Sequence, residues 1–214
     1  AGLDRVNMSA DSRRPDRIRE IARRSLSFSP IDAAAAAERA GLGPVKLNTV
    51  VMRGINDDEL EDFARLTLEH PWHVRFIELM PVGEMRELTF EHVVPSDEIL
   101  ARLSAIAPLV ADAGPPRGNG PAAYYRFAGA PGSVGVITPM SHTYCGDCNR
   151  VRLTADGRLR TCLYGEEETN FRDALRAGQP LAPLYASALA TKPREHALLQ
   201  MKVGGLRALS EIGG

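Results

Sequence analysis

The chain has 214 residues, 44% hydrophobic and 25% charged, with a formal net charge of -1. That is an ordinary globular composition with enough apolar residues for a core. The near-neutral charge gives no electrostatic case for nucleic acid or an anionic membrane, and no apolar run approaches the ~20 residues of a transmembrane helix.

In chain order, residues 5–9 read as a short strand, and 15–24 as a helix with Ile18 and Ile21 three apart. Residues 31–40 form an alanine-rich helix stopped by Gly41. After Pro44, the β-branched run 45–52 is a strand. Asn56 and Asp57 open a helix to about residue 70, with Leu60, Phe63, Leu66 and Leu68 apolar and Pro71 as the stop. Residues 73–80 are a third strand. Strands alternating with helices over short connections imply parallel pairing, so the fold class is α/β, a sheet or a barrel. Ser96 is expected to cap a helix whose first turn holds Asp97 and Glu98. Residues 107–122 are rich in Pro and Gly and mark a loop or boundary. Strands are expected at 124–127 and 134–137, a short helix between Asn170 and Gly178, and a helical tail from about Pro180. The organisation expected is a first domain over 1–106 and a small α+β domain over 107–214. The chain starts at Ala1 with no signal peptide, so it is expected to be processed, tagged or a fragment.

All three cysteines fall in one stretch: Cys145-Gly146-Asp147-Cys148, thirteen residues, then Cys162. A C-x2-C turn points two sulfurs the same way, and the third cysteine argues against a lone redox dithiol. Three clustered thiols suit a metal and a reducing cytoplasm better than a disulfide framework. A tetrahedral site needs a fourth ligand. Either His142 supplies it and the site is a structural zinc knuckle, or the position stays open and the site is chemical.

Residues 150–162 read as a β-hairpin turning on Asp156-Gly157. A two-residue turn sets Val151 opposite Cys162. A three-residue loop, with Gly157 left-handed, sets Arg150 opposite Cys162 and Leu153 opposite Leu159. The second register is preferred because it sorts Val151, Leu153 and Leu159 to one face and Arg150, Arg152 and Cys162 to the other. Two guanidinium forks beside a metal suit phosphate or a polar base edge.

The run Ser141 to Leu163 resembles the C-terminal cluster region of the GTP 3',8-cyclases, the molybdenum-cofactor biosynthesis protein A family of radical-SAM enzymes. Four further motifs match in order: Leu3-Asp4-Arg5-Val6-Asn7-Met8-Ser9, Val45-Lys46-Leu47-Asn48, Gly54-Ile55-Asn56-Asp57 and Arg75-Phe76-Ile77-Glu78-Leu79-Met80-Pro81. The closing Ser210-Glu211-Ile212-Gly213-Gly214 matches as well. The resemblance implies the C-terminal part of an incomplete (β/α) radical-SAM barrel followed by a small cluster domain.

In that family one [4Fe-4S] cluster cleaves S-adenosylmethionine to a 5'-deoxyadenosyl radical. The radical takes the ribose 3' hydrogen of GTP, and the carbon radical left behind attacks C8 of guanine. A second [4Fe-4S] cluster, held by three cysteines, leaves an iron open to the guanine. By resemblance Cys145, Cys148 and Cys162 hold the second cluster. Lys46, Arg75, Arg150, Val151 and Arg152 contact GTP. Ser9 and Met80 touch S-adenosylmethionine. Arg150, Arg152, Gly213 and Gly214 are the catalytic set, the two glycines as a tail reaching into the site. The function implied is GTP 3',8-cyclisation in molybdenum cofactor biosynthesis, with the enzyme of the next molybdopterin step as functional partner and a homodimer as the assembly.

One departure is large. The family opens with C-x3-C-x2-C on its first barrel loop, whereas no cysteine precedes Cys145. The resemblance therefore implies a chain with the GTP-binding cluster and without the S-adenosylmethionine-cleaving one, and an unpaired strand edge at residues 5–9. Residues 194–209 also differ from the usual approach to the tail. Two other readings stay open: a GTP- and cluster-binding module without radical chemistry, and a zinc-stabilised structural domain. Without the family context Lys46 is a strand-end lysine, Ser9 a turn hydroxyl and Met80 a core methionine.

Overall fold

Alternation of polar and apolar residues along the strands builds the first half of the molecule. The computed structural model describes residues 2–23, 28–81, 89–112 and 120–196. Its elements run β1 (Asn7–Ser9), α1 (Pro15–Ala22), α2 (Pro30–Arg39), β2 (Lys46–Val51), α3 (Leu60–Glu69) and β3 (His73–Glu78). Then come α4 (Ser96–Ser104), β4 (Leu109–Asp112), β5 (Ala123–Phe127) and β6 (Ser133–Ile137). These strands form one six-stranded sheet in the order β1-β2-β3-β6-β5-β4. Strands β1, β2, β3 and β6 are parallel neighbours, and β5 and β4 extend the sheet antiparallel. The strand–helix–strand reading of the sequence therefore holds as a mixed α/β fold with parallel pairing.

One face of this sheet is apolar. Leu47, Val51, Val74, Phe76, Phe127 and Val134 pack in one core with Ala34 and Ala37 of α2, Phe63 and Leu66 of α3, and Ile99 and Leu103 of α4. Truncating a fully buried aromatic such as Phe63 or Phe76 to Ala costs about 3–5 kcal/mol.

Local chemistry explains where the elements depart from expectation. Helix α3 is preceded by a 3-10 turn over Asp57–Glu59 rather than starting at Asn56. The Asn56 side chain is used elsewhere: its Oδ1 accepts from Met52 N–H at 2.7 Å and its Nδ2 donates to the carbonyls of Asp11 and Val50. Ser96 does not cap α4; it is the first helical residue, and Pro95 holds the capping position. The Ser96 N–H is instead taken by the Glu78 carboxylate at 2.7 Å, so a strand residue caps the helix. The Pro/Gly-rich stretch contains β4, which pairs with β5. A boundary at 106/107 thus falls inside the sheet.

The chain divides into two compact units, Ala1–Met80 with Phe90–His142, and Pro81–Thr89 with Thr143–Gly214. The second unit has a 3-10 turn at Cys145–Asp147, then β7 (Arg152–Leu153), β8 (Arg158–Arg160), β9 (Thr169–Asn170), α5 (Phe171–Arg176) and α6 (Leu181–Ala190). Its sheet is antiparallel in the order β7-β8-β9. Among the described residues no helix is long and apolar enough to cross a membrane.

Candidate functional site

The sheet face opposite the core is polar. The parallel register sets Ser9 beside Asn48, Lys46 beside His73, Asn48 beside Arg75, and Arg75 beside Gly135. Lys46 is only 6% exposed. Burial, with Arg75 and Arg5 nearby, holds its ammonium below the usual lysine range. Arg75 donates from Nε to Asn48 Oδ1 at 2.7 Å. Its stem and the Tyr124 ring cross close above Gly135, where an added Cβ would come within 3.0 Å of Tyr124 and 3.1 Å of Arg75. Glycine is thus what lets that arginine lie flat on the sheet. His73 Nδ1 sits 2.6 Å from Ser133 Oγ. Burial first, then the Lys46 and Arg126 charges, push the imidazole down to about 4, so it stays neutral at physiological pH. The face concentrates positive charge with few acids, an arrangement that favours an anionic ligand.

At the C-terminal end of β3, alternation puts Glu78 on the core side with Val74 and Phe76, and it is 0% exposed. Its carboxylate accepts from Ser96 N–H, from Met140 and Ser141 N–H at 2.7 and 2.9 Å, and from the Ser141 hydroxyl. A buried carboxylate persists because donors surround it. It fixes the start of α4 and the segment after β6, two residues along the chain from Met80. His142, the alternative fourth ligand, is engaged by Asp97, with Nε2 3.0 Å from Oδ1.

In the second unit the observed pairs are Arg152 with Arg160 and Leu153 with Leu159. That is the three-residue register; extended by two residues it sets Arg150 opposite Cys162. Gly157 is left-handed at φ 78°, as that loop requires. The shared face does not bury both leucines, since Leu159 is 5% exposed and Leu153 61%. Cys145 and Cys148 flank one 3-10 turn, with Cys148 N–H donating to the Cys145 carbonyl at 3.2 Å. All three cysteines are half-buried free thiols. Among the described residues no three His, Cys, Asp or Glu side chains gather tightly enough to hold a metal ion.

Burial alone would raise the Cys148 thiol. The Arg150 N–H and guanidinium, with the Lys192 charge, outweigh it and hold the thiol below its ordinary value. A lowered thiol beside cations favours the thiolate form. Arg150 lies 5.0 Å over the Tyr144 ring. Buried Tyr164 has its hydroxyl pushed upward, by burial first and then by Tyr144 and Cys162.

Of the residues expected from sequence, Ser9, Lys46 and Arg75 share the polar sheet face, while Arg150, Val151, Arg152 and the cysteines lie on or beside the hairpin. Met80 is half-buried just past β3. Gly213 and Gly214 lie outside the described residues. Sequence reasoning missed Asn48, Tyr124 and Gly135 around Arg75, and it missed Glu78 and Lys192. The Lys46/Asn48 alternation signalled the first of these. A glutamate in phase with Val74 and Phe76 signalled Glu78. Nothing local signalled Lys192.

Comparison with known proteins agrees. A family model described as Molybdenum Cofactor Synthesis C matches residues 72–198, and one described as Radical SAM superfamily matches residues 1–67. The GTP 3',8-cyclase of Moorella thermoacetica is 50% identical over 220 residues, which cover 100% of this chain and 66% of the relative. The GTP 3',8-cyclase of Heliobacterium modesticaldum is 45% identical over 218 residues, 100% of this chain and 67% of the relative. That of Alkaliphilus oremlandii is 43% identical over 216 residues, 100% and 66%. The chain spans about two thirds of the length of these relatives. A match over most of the chain, together with identity near one half along its whole length, establishes that the chain belongs to the Molybdenum Cofactor Synthesis C family of radical-SAM proteins.

Proposed function

We propose that the chain takes part in GTP 3',8-cyclisation for molybdenum cofactor biosynthesis and supplies the GTP-binding second cluster of that reaction. The observation that supports this reading is the hairpin register, Arg152 with Arg160 and Leu153 with Leu159, whose continuation would set Arg150 opposite Cys162. Cys145, Cys148 and Cys162 would hold a [4Fe-4S] cluster, which when bound supplies an open iron for guanine. The first unit is proposed to be the later part of a radical-SAM barrel.

The chain's own residues bind and orient. On the sheet, Lys46 and Arg75 neutralise phosphate charge, and the Asn48 bond fixes the Arg75 fork. On the hairpin, Arg150, Val151 and Arg152 contact GTP through backbone and guanidinium groups. Ser9 and Met80 are the proposed S-adenosylmethionine contacts, and Gly213 and Gly214 the tail. The setting proposed is a reducing cytoplasm, with a homodimer as the assembly and the product passing to the next molybdopterin enzyme.

The test is anaerobic reconstitution of the chain with iron and sulfide. Equal iron and sulfide, with an electron paramagnetic resonance spectrum that GTP perturbs, is the expected result. Zinc without iron overturns it. The C-x3-C-x2-C motif is absent from these 214 residues. Incubation with S-adenosylmethionine, reductant and GTP should therefore give no 5'-deoxyadenosine from this stretch alone.

A further inference from the structure

One row of side chains crosses the polar face of the sheet. Register sets Asn48 of β2 beside Arg75 of β3, Arg75 beside Gly135 of β6, and Gly135 beside Tyr124 of β5. Directly paired residues share a face, and strands two apart lie roughly 10 Å from one another. Tyr124 and Arg75 span that distance because glycine stands between them. The arginine stem and the tyrosine ring close over Gly135, and the Tyr124 hydroxyl accepts a hydrogen bond from the Arg75 guanidinium.

These bonds sort the donors. Arg75 uses Nε on Asn48 Oδ1 at 2.7 Å. A guanidinium carries several N–H donors and accepts nothing. The fork therefore keeps donors for a ligand, and the Tyr124 oxygen gives the arginine a lone pair while keeping its own proton to donate. Burial, the largest influence, holds that phenol above its ordinary value, so the O–H remains a donor at neutral pH. The incoming N–H polarises it further. The next residue along the row is an acid, Asp112, the register partner of Tyr124. Arg126 neutralises it, with Nη2 donating to Oδ2 at 2.9 Å.

We propose that Tyr124 is a further binding residue of the triphosphate site: with Arg75 it forms a two-armed donor, the guanidinium supplying charge and the phenol hydroxyl donating to a neighbouring phosphate oxygen. The proposal rests on the reading that this sheet face takes the phosphates of GTP, and it is independent of the cysteine turn. A neutral donor held beside a charged one adds direction to the attraction, so it fixes where a phosphate oxygen sits.

The experiment measures binding of GTP, inorganic tripolyphosphate and guanosine to the 214-residue chain by calorimetric titration. A tyrosine ultraviolet difference spectrum is recorded on adding tripolyphosphate. Tripolyphosphate has no base, so it reads the anion face alone. Tyr124→Phe keeps the ring and removes the hydroxyl. Tyr125→Phe, on the same strand but packed against the core, is the control. Tyr124→Phe should bind GTP and tripolyphosphate roughly 10-fold more weakly, through loss of a hydrogen bond to a charged group. It should bind guanosine as the parent does and lose the difference spectrum, while the control matches the parent throughout. Parental affinity for both phosphate ligands in Tyr124→Phe overturns the proposal alone. So does an equal loss for guanosine, or a difference spectrum that survives the substitution. If Tyr124→Phe does not fold, Gly135→Ala decides, since it keeps both side chains and pushes them apart. It must weaken tripolyphosphate and spare guanosine, or the proposal falls. A parent chain that binds GTP but not tripolyphosphate also overturns the proposal and leaves GTP binding standing. A parent that binds neither overturns the GTP reading itself.

Discussion

The sheet unit and the cysteine unit hold their functional residues by different means. In the first, Lys46 and Arg75 stand on strands whose reverse side is a continuous apolar core. Their placement follows from ladder register and needs no ligand. In the second, the strands are two or three residues long. Among its described residues the buried apolar side chains are Pro81, Leu159, Tyr164, Ala174 and Ala188. Order there comes from polar ties instead. Arg160 is buried against Glu168 and bonds the Gly165 carbonyl, Thr154 closes the hairpin loop, and Lys192 grips the turn. If the proposed cluster binds there, its ligation is expected to add to the stability of this unit. The difference is that one unit places its polar residues by strand register over an apolar core and the other, among its described residues, by polar ties.

The sharpest way to break that contrast is to remove a proposed ligand. Cys162→Ser should abolish iron retention and lower the thermal midpoint of the second unit in the reconstituted chain, while the sheet unit melts as before. Differential scanning calorimetry with and without iron reads both at once. Equal loss in both units would mean they do not differ in the way described.

Next in size is the buried carboxylate. Glu78→Gln keeps the volume but turns an amide N–H₂ toward donors that now lack an acceptor, an expected cost of about 3 kcal/mol. The loss should appear in urea unfolding of the sheet unit and leave iron retention unchanged. A loss under about 0.5 kcal/mol, the size typical of a surface substitution, would show that Glu78 is not what ties α4 and the segment after β6 to the sheet.

The two units also differed in how far the sequence could be read. The β-branched run 45–52 and the strand 73–80, with a helix between, specified parallel strands, which the register bears out. The Asp-Gly turn and the sorting of Arg150 and Arg152 from Val151 specified the hairpin register, which the observed pairs bear out. The failures have a common physical cause. Ser96 resembled an N-cap because capping was judged from neighbours in sequence, whereas the true acceptor, Glu78, is eighteen residues away. The Pro and Gly content of residues 107–122 points to a loop or boundary and cannot show β4 pairing with β5. Lys192 contacts the cysteine turn across forty-four residues, beyond any local pattern. Register and local turns are local information; who completes a buried polar group is not.

A third test asks whether the sheet face acts as a preformed anion surface. Lys46→Met preserves the stem and removes the charge. Loss of a charge-assisted contact to phosphate should weaken GTP binding roughly 30-fold, about 2 kcal/mol, as read by calorimetric titration with GTP. Guanosine, which lacks phosphates, should bind parent and variant alike. A variant that loses guanosine and GTP in equal proportion would show that Lys46 supports the fold of the face rather than the charge of its ligand.

The smallest effect concerns the same face without ligand. His73 is surrounded by Lys46 on β2, Arg75 on its own strand, Arg126 and Tyr124 on β5, and Asp112 on β4, the acid being outnumbered. With the imidazole at about 4 in the folded chain, against about 6.5 when unfolded, the unfolded state takes up the proton first as pH falls. Stability is therefore full above about pH 6.5, declines between there and 4, and is flat below 4 as far as this group is concerned. Between pH 7 and 5 the loss is about 2 kcal/mol. His73→Gln retains a partner for Ser133 and cannot titrate, so its urea midpoint should change little over that interval while the parent's falls. Parallel decline in both would place the acid sensitivity elsewhere. A flat profile for the variant would mean that the sheet unit maintains a desolvated basic face at a measurable cost.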